Sequence, residues 1–282
     1  MKLALGTVQF GGRYGLLNAD GQTQPKEIKQ ILSYAMRYNI ETLDTASQYG
    51  CSELILGKIG VENWEIITKT SSLSQGVDSV LHSFYQSLRL LEVLQIYGLL
   101  IHDFDDVEHV DFDKLLKQLY SLQEQGMIQK IGFSVYNPGQ IDFLLANFDF
   151  DIIQVPINIF DQRLIRGGYL KRLKDKKIEI HARSIFLQGI LLNANRLPNY
   201  FLKWEEAFKL YSNFMRAKGV SLLESALSFV LNVQELDKVV VGVENQRQLQ
   251  EIIQSSSRDI DIDFTQFAIY DEDLLNPSRW AL

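Results

Sequence analysis

The chain has 282 residues, 46% of them hydrophobic, which is enough for one large core. Its formal net charge is −7, with acids and bases interspersed, and no lysine or arginine stripe with interleaved aromatics marks a nucleic-acid surface. No run approaches the roughly 18–20 apolar residues of a membrane span, the N-terminus turns polar too early for a signal peptide, and the single cysteine, Cys51, excludes an internal disulfide framework. The expectation is a cytoplasmic protein, monomeric or weakly homo-oligomeric, with neither nucleic acid nor membrane as partner.

Five prolines and the lack of a Ser/Gly-rich linker predict a single domain over residues 1–282, with 264–282 as a tail packed on its outside. Strand-like and helix-like segments alternate along the chain. Leu3–Val8 reads as a strand, and Ile28, Ile31, Leu32, Ala35 and Met36 then share one helical face. Strands at Ile40–Asp44 and Glu65–Thr70 flank a short helix at Ser52–Lys58. Val80, Leu81, Phe84, Leu88 and Leu91 mark the next helix, Tyr97–His102 a near-continuous apolar strand, and Leu115 to Leu122 a helix that Gly126 closes. Lys130–Val135, Asp151–Val155, Ile178–Ala182 and Lys238–Val241 are further strands. Helices are predicted near 139–146, 169–176, 203–218, 221–231 and 246–253.

Several of these strands are apolar without alternation, as strands covered on both faces are. Such a pattern fits an open doubly wound sheet or a closed barrel. Gly6, Gly11, Gly12 and Gly15 lack the spacing of a dinucleotide-binding βαβ turn, and no helix opens directly at them. Eight units in this length predict an α/β protein of the (β/α)8 TIM-barrel type.

In that barrel chemistry sits where the strands end and the βα loops converge. The second strand ends in Asp44 with Tyr49 five residues on, the third in Lys69 and the fourth in His102. Each has an ordinary explanation: Asp44 as a helix cap, Lys69 as a solvated strand end, His102 and Tyr49 as packing residues. Their convergence on neighbouring strand tips points instead to proton transfer. A phenol with a free pKa of ~10 is a poor acid near neutrality. The Lys69 ammonium is expected to lower it, Asp44 to balance the ammonium, and His102 to hold a carbonyl oxygen against Tyr49. The acidic run Asp103, Asp105, Asp106, Glu108 is expected to be a solvated loop rather than a cation site, and no metal is implied.

Leu-Gly-Thr near the start, Leu-Asp-Thr-Ala-x-x-Tyr-Gly, Ile-Thr-Lys-Thr, Leu-Ile-His and Ile-Gly-Phe-Ser together resemble the aldo-keto reductases, in order and over residues 3 to 253. The similarity runs on through Phe-Leu-Gln-Gly-Ile-Leu191 and Val-Val-Gly-Val-Glu-Asn-Gln-Arg-Gln-Leu249, and Asn276 to Trp280 resemble the ending of a short bacterial branch. The resemblance implies an NAD(P)H-dependent reductase of small-molecule carbonyl compounds, with Tyr49 as general acid/base, Lys69 and Asp44 tuning it and His102 orienting the carbonyl. It implies cofactor contacts from Gly6, Thr7, Val8 and Asp44 and, for the carboxamide, Ser134 and Gln154. Further contacts would come from Arg183 and Ser184, from Phe186, Leu187, Gln188 and Gly189 at the pyrophosphate, and from Gly242, Arg247, Gln248 and Glu251 at the adenosine end. NADPH follows from family habit, with NADH open because Gly242 and Glu244 stand where basic residues are usual. The chain also departs from the family at Val135, where Asn is usual, and at Arg183, where an aromatic ring usually stacks on the nicotinamide.

Two other readings compete. One is a non-catalytic dinucleotide-binding or partner-docking barrel. The other is a Schiff-base lyase on Lys69, which the adjacent Asp44 disfavours by keeping the amine protonated. The polar residues Arg13, Tyr14, Asn18 and Asp20 hint at a hydroxylated or sugar-like carbonyl.

Overall fold

The computed structural model describes residues 1–281 apart from 195 and 259. Asn195, Asp259 and Leu282, the last in the predicted tail, lie outside the described residues. Eight strands form the core: β1 (Leu3–Gly6), β2 (Thr42–Asp44), β3 (Glu65–Lys69), β4 (Ile96–Ile101), β5 (Ile128–Ser134), β6 (Ile152–Pro156), β7 (Glu179–Arg183) and β8 (Lys238–Gly242). They pair in parallel in chain order, and β8 closes on β1 with Leu3 opposite Val239 and Gly6 opposite Gly242. The fold is a (β/α)8 barrel.

The outer faces of the strands bury Leu5, Leu43, Ile66, Leu99, Ile131, Ile153 and Val241 against the helices. The helix Pro25–Arg37 shows why this works locally. Proline opens it, where a missing N–H costs nothing, and Ile28, Ile31, Leu32 and Ala35 form its buried stripe. The first strand is shorter than predicted. It ends at Gly6 because the Thr7 amide and hydroxyl both donate to the Asp44 carbonyl, at 2.9 and 3.1 Å, and a helical turn over Val8–Gly11 follows. The predicted tail is not merely an outer layer. Phe264, Phe267, Leu274 and Leu275 are buried in a second apolar cluster with Phe160, Phe208 and Tyr211. Among the described residues no helix is long and apolar enough to cross a membrane.

Inside the barrel the two-residue period of a strand sends Glu65, Ile67 and Lys69 of β3 to one face, and likewise Glu179, His181 and Arg183 of β7. The middle layer is apolar, where Ile67, Leu100 and Ile152 pack together. The N-terminal end is polar. Glu179 accepts from Tyr97 Oη at 2.7 Å, lies 2.6 Å from His181 Nε2 and pairs with Lys130, while Glu65 takes Thr42 at 2.7 Å and Lys238 at 3.2 Å. Burial opposes the charge on Glu179, but the bonds from His181, Lys130 and Tyr97 outweigh it and hold its pKa down at about 2.

A carboxyl held below its ordinary value stabilises the fold above the unfolded pKa, and that contribution is lost as pH falls through the folded one. The expected result is that Glu179→Gln loses less stability than the wild type between pH 4.5 and about 2. The difference, read from urea unfolding across that range, should be on the order of 1–2 kcal/mol once solvent screening is allowed for.

Candidate active site

Asp44 and Ile67 are register partners in neighbouring strands, so Lys69, two residues further on, reaches the Asp44 carboxylate from the same inner face. The Lys69 ammonium donates to Asp44 Oδ1 at 2.8 Å, to Oδ2 at 2.9 Å and to the Thr45 carbonyl at 2.8 Å. The pair is almost sealed, with Lys69 only 2% exposed and Asp44 5%. Gln154 Nε2 adds a 2.6 Å bond to Asp44 Oδ1. Burial disfavours the charge on Lys69, but Asp44 and then Tyr49 outweigh it, and the ammonium is held above its ordinary pKa.

Tyr49 rides on the turn after β2, and that turn is fixed by backbone packing against the first loop. A Cβ on Gly11 would lie 1.5 Å from the Tyr49 carbonyl oxygen, so only glycine allows the approach. Gly50 follows with φ +56°, a left-handed conformation that glycine adopts without strain. The ring then stands with its centroid 5.0 Å from Lys69 Nζ and 6.1 Å from the His102 ring, edge to face. The sequence pointed to a lowered phenol pKa, and the structure reverses that. Burial raises it, Lys69 pulls it down and Asp44 pushes it up, with a net rise. The physical reason is the burial of the ring, which outweighs the pull of Lys69, itself partly offset by Asp44 2.8 Å from the ammonium.

His102 stands one residue beyond β4, its amide bonded to Thr70 Oγ1 at 3.2 Å. Burial, and next Lys69, push its imidazole down to about 4, so it is neutral at physiological pH. Asp106, from the acidic run, is a buried acceptor for the Leu73 amide at 2.9 Å rather than a solvated residue.

These groups line a cavity of about 590 Å³ at the C-terminal mouth of the barrel, within the roughly 300–1,000 Å³ of small-molecule sites. Gly6, Thr7, Val8, Ser134, Gln154, Arg183 and Ser184 line it, as do Phe186, Gln188, Gly189, Gly242, Gln248 and Glu251. Leu187 does not: its side chain is fully buried in the second apolar cluster. Nor does Arg247, whose side chain is 85% exposed and paired with Glu251 at 3.0 Å. Two of the amides expected at a pyrophosphate are used within their own loop, Leu187 N–H to Ser184 O and Gly189 N–H to Phe186 O. The φ angles of Leu187, Gln188 and Gly189 are all positive, a concave backbone of the kind that presents amides to an anion.

The residues present fit a dinucleotide. The cavity is long enough to touch loops from β1 round to β8, and Gln9 Oε1 on its wall is a buried acceptor with no partner among the described residues. Gly242 leaves room there, since a Cβ would meet the Gln9 amide at 2.5 Å. Sequence reasoning passed over Gln9, Tyr136 and Pro277, which also line the cavity. Tyr136 carried a usable signal, an aromatic residue two positions beyond a strand tip. Pro277 carried none, because only the fold of the tail brings it to the mouth.

The Aldo/keto reductase family profile matches residues 2–272. A D-arabinose 1-dehydrogenase of Saccharomyces cerevisiae is 24% identical over 195 residues, a match spanning 58% of this chain and 58% of that protein. The fold is similar to that of an aldo-keto reductase from Bacillus halodurans in its holo form, at TM-score 0.75 and 18% identity over 94% of this chain and 90% of that one. It is also similar to a protein assigned to the aldo-keto reductases from Pseudomonas aeruginosa, at TM-score 0.67 and 20% identity over 90% and 89% of the two chains. With a profile match across nearly its whole length, the chain belongs to the aldo/keto reductase family.

Proposed function

We propose that the protein reduces an aldehyde or ketone to an alcohol with NAD(P)H, Tyr49 acting as the general acid. The observation that carries this reading is the grouping of Tyr49, the sealed Lys69–Asp44 pair and a neutral His102 around one cavity. When bound there, the reduced nicotinamide supplies the hydride. The chain's own residues supply the rest. His102, uncharged, has one ring N–H to donate to the carbonyl oxygen and fix it near the phenol. Tyr49 is protonated at neutral pH and gives its proton to the alkoxide oxygen as the alcohol forms. The phenolate left behind stands beside the Lys69 ammonium, whose protonation Asp44 secures. In the reverse direction the phenolate takes the alcohol proton, and the yeast relative's designation as a sugar dehydrogenase agrees with such reversibility.

Ser134 and Gln154, paired in register, are the proposed contacts for the carboxamide, with the Gln154 amide nitrogen already committed to Asp44. Gly6, Thr7 and Val8 wall the opposite side, and Ser184, Phe186, Gln188 and Gly189 the pyrophosphate path. At the far end Glu244, Gln248 and Glu251 line the cavity, while Arg247 is turned out to Glu251. Glu244 opposes a 2′-phosphate and Glu251 holds the nearby Arg247 in an ion pair, so we infer that NADH binds at least as tightly as NADPH, against the family habit. The polar first loop, with Tyr14 and Asn18 on the cavity wall, favours a hydroxylated carbonyl compound.

Tyr49→Phe is expected to lower kcat by roughly 10²–10⁴-fold in a dinucleotide-oxidation assay on an aldehyde panel. Wild-type rates in that variant would exclude the mechanism. Titration by fluorescence quenching should give an NADH Kd equal to or below that of NADPH, and a tenfold preference for NADPH would refute the inference from the two glutamates. His102 should remain neutral in an NMR titration until about pH 4. Because that value lies below the ordinary 6.5, protons favour the unfolded chain, and this group lowers stability as pH falls below 6.5.

A further inference from the structure

At the mouth of the barrel one cation is left without a counter-charge. Arg183 ends β7 and lines the cavity, yet among the described residues no carboxylate lies within ion-pair distance of its guanidinium. Its two bonded nitrogens serve neutral acceptors, Nη2–H to the Val135 carbonyl at 2.9 Å and Nη1–H to Ser184 Oγ at 3.1 Å. Its plane lies over the Tyr136 ring, with Cζ 4.1 Å from the centroid. Two hydrogen bonds and a stacked ring fix the group, and an arginine has five N–H donors, so the remaining ones are free for a ligand. Of the carboxylates near this end of the cavity, Asp103 is exposed and does not line it, and two others are already taken. Asp44 is held by both oxygens on Lys69, and Asp161 receives Arg163 Nε at 2.8 Å and Nη2 at 2.8 Å.

The direction in which the guanidinium leans decides what it meets. From β7 it reaches across β6 to the Val135 carbonyl just past β5, the strand that pairs with β4, and His102 stands just past β4. It therefore leans toward the His102 side of the mouth and away from Glu244 and Glu251, which follow β8. Its charge registers at Tyr49, at His102 and at the Tyr14 hydroxyl. Burial, with Tyr49 next, lifts Tyr14 to about 12, leaving it a neutral donor on the same wall. The Lys69–Asp44 pair sums to zero, so the reacting end of the cavity is positive by one charge in a protein of net charge −7.

We propose that Arg183 is a substrate-anchoring residue, and that the carbonyl compound reduced here carries a carboxylate, bound by the free edge of the guanidinium while its carbonyl lies between His102 and Tyr49. The planar fork of arginine matches a carboxylate with two parallel hydrogen bonds. This rests on the carbonyl-reductase reading of the site and adds the chemical class of its substrate.

The test compares two four-carbon aldehydes, succinic semialdehyde and butanal, on the dinucleotide-saturated protein. Wild type should favour the carboxylated aldehyde in kcat/KM by roughly 10–100-fold, the range expected of hydrogen bonds to a charged group. In Arg183→Met that ratio should collapse toward one, chiefly through KM, and Arg183→Lys should restore part of it. A binding arm needs no turnover: butyrate, but not butanol, should raise the Tm of the dinucleotide-loaded wild type, and should fail to do so in Arg183→Met. A ratio that survives in Arg183→Met, or a wild type that prefers butanal, overturns the proposal. So does a variant that loses dinucleotide affinity while keeping the preference, which would assign Arg183 to the cofactor. If neither aldehyde is turned over but butyrate still protects through Arg183, the anion site stands and the reductase reading falls.

Discussion

A buried ion pair is the constraint on which this site depends. Lys69 and Asp44 are both nearly out of water, and each is tolerable there only because the other is present. Loss of one partner would leave an uncompensated charge in the barrel, at a cost of about 3–5 kcal/mol. The same closeness has a chemical consequence. Burial of the ring outweighs the pull of Lys69, which Asp44 partly offsets, and the phenol keeps its proton. A protonated phenol suits the proposed reduction, since it is the donor form. In that proposal the ammonium matters once the proton has left, because its Nζ lies 5.0 Å from the ring centroid.

Around that pair the barrel separates two polar ends by a thin apolar layer. Ile67, Leu100 and Ile152 fill the middle, the Glu179 and Glu65 networks close the N-terminal end, and the reactive groups occupy the other. Both ends come from the same strands by two-residue alternation, so one residue of register slip in β3 or β7 would exchange inner and outer faces and abolish both. Position at the mouth is set less by side chains than by backbone contact, as the approach of Gly11 to the Tyr49 turn shows. Pre-organisation of this kind, made by rigid strands and one tight loop contact, fixes the Tyr49 ring beside Lys69 and His102.

Where the chain differs from its family's pattern, the differences agree with one another. Val135 offers only a carbonyl where a side-chain amide is usual, and Arg183 uses that carbonyl to fix its guanidinium. Glu244 places negative charge at one end of the cavity, and Arg183, with no carboxylate in ion-pair distance among the described residues, places positive charge at the other. The cavity therefore carries opposite charge at its two ends.

The strand and helix rhythm, the eight repeats and the strand-tip positions of Asp44, Lys69 and His102 could all be read from local sequence. Each depends only on hydrophobic period and on where an apolar run stops. The tertiary structure decided three things that no local pattern encodes. Leu187 and Arg247 fall outside the cavity, because one side chain turns into a core built from the distant tail and the other to a glutamate one helical turn away. Tyr49 is raised rather than lowered in pKa, because that balance depends on the depth of burial and on a 2.8 Å contact between two strands. Arg183 keeps its charge unpaired, because its nearest acids are taken by lysine and arginine side chains from other parts of the barrel. Residue types and their period come from neighbours in the chain, whereas charge balance and desolvation come from neighbours in space.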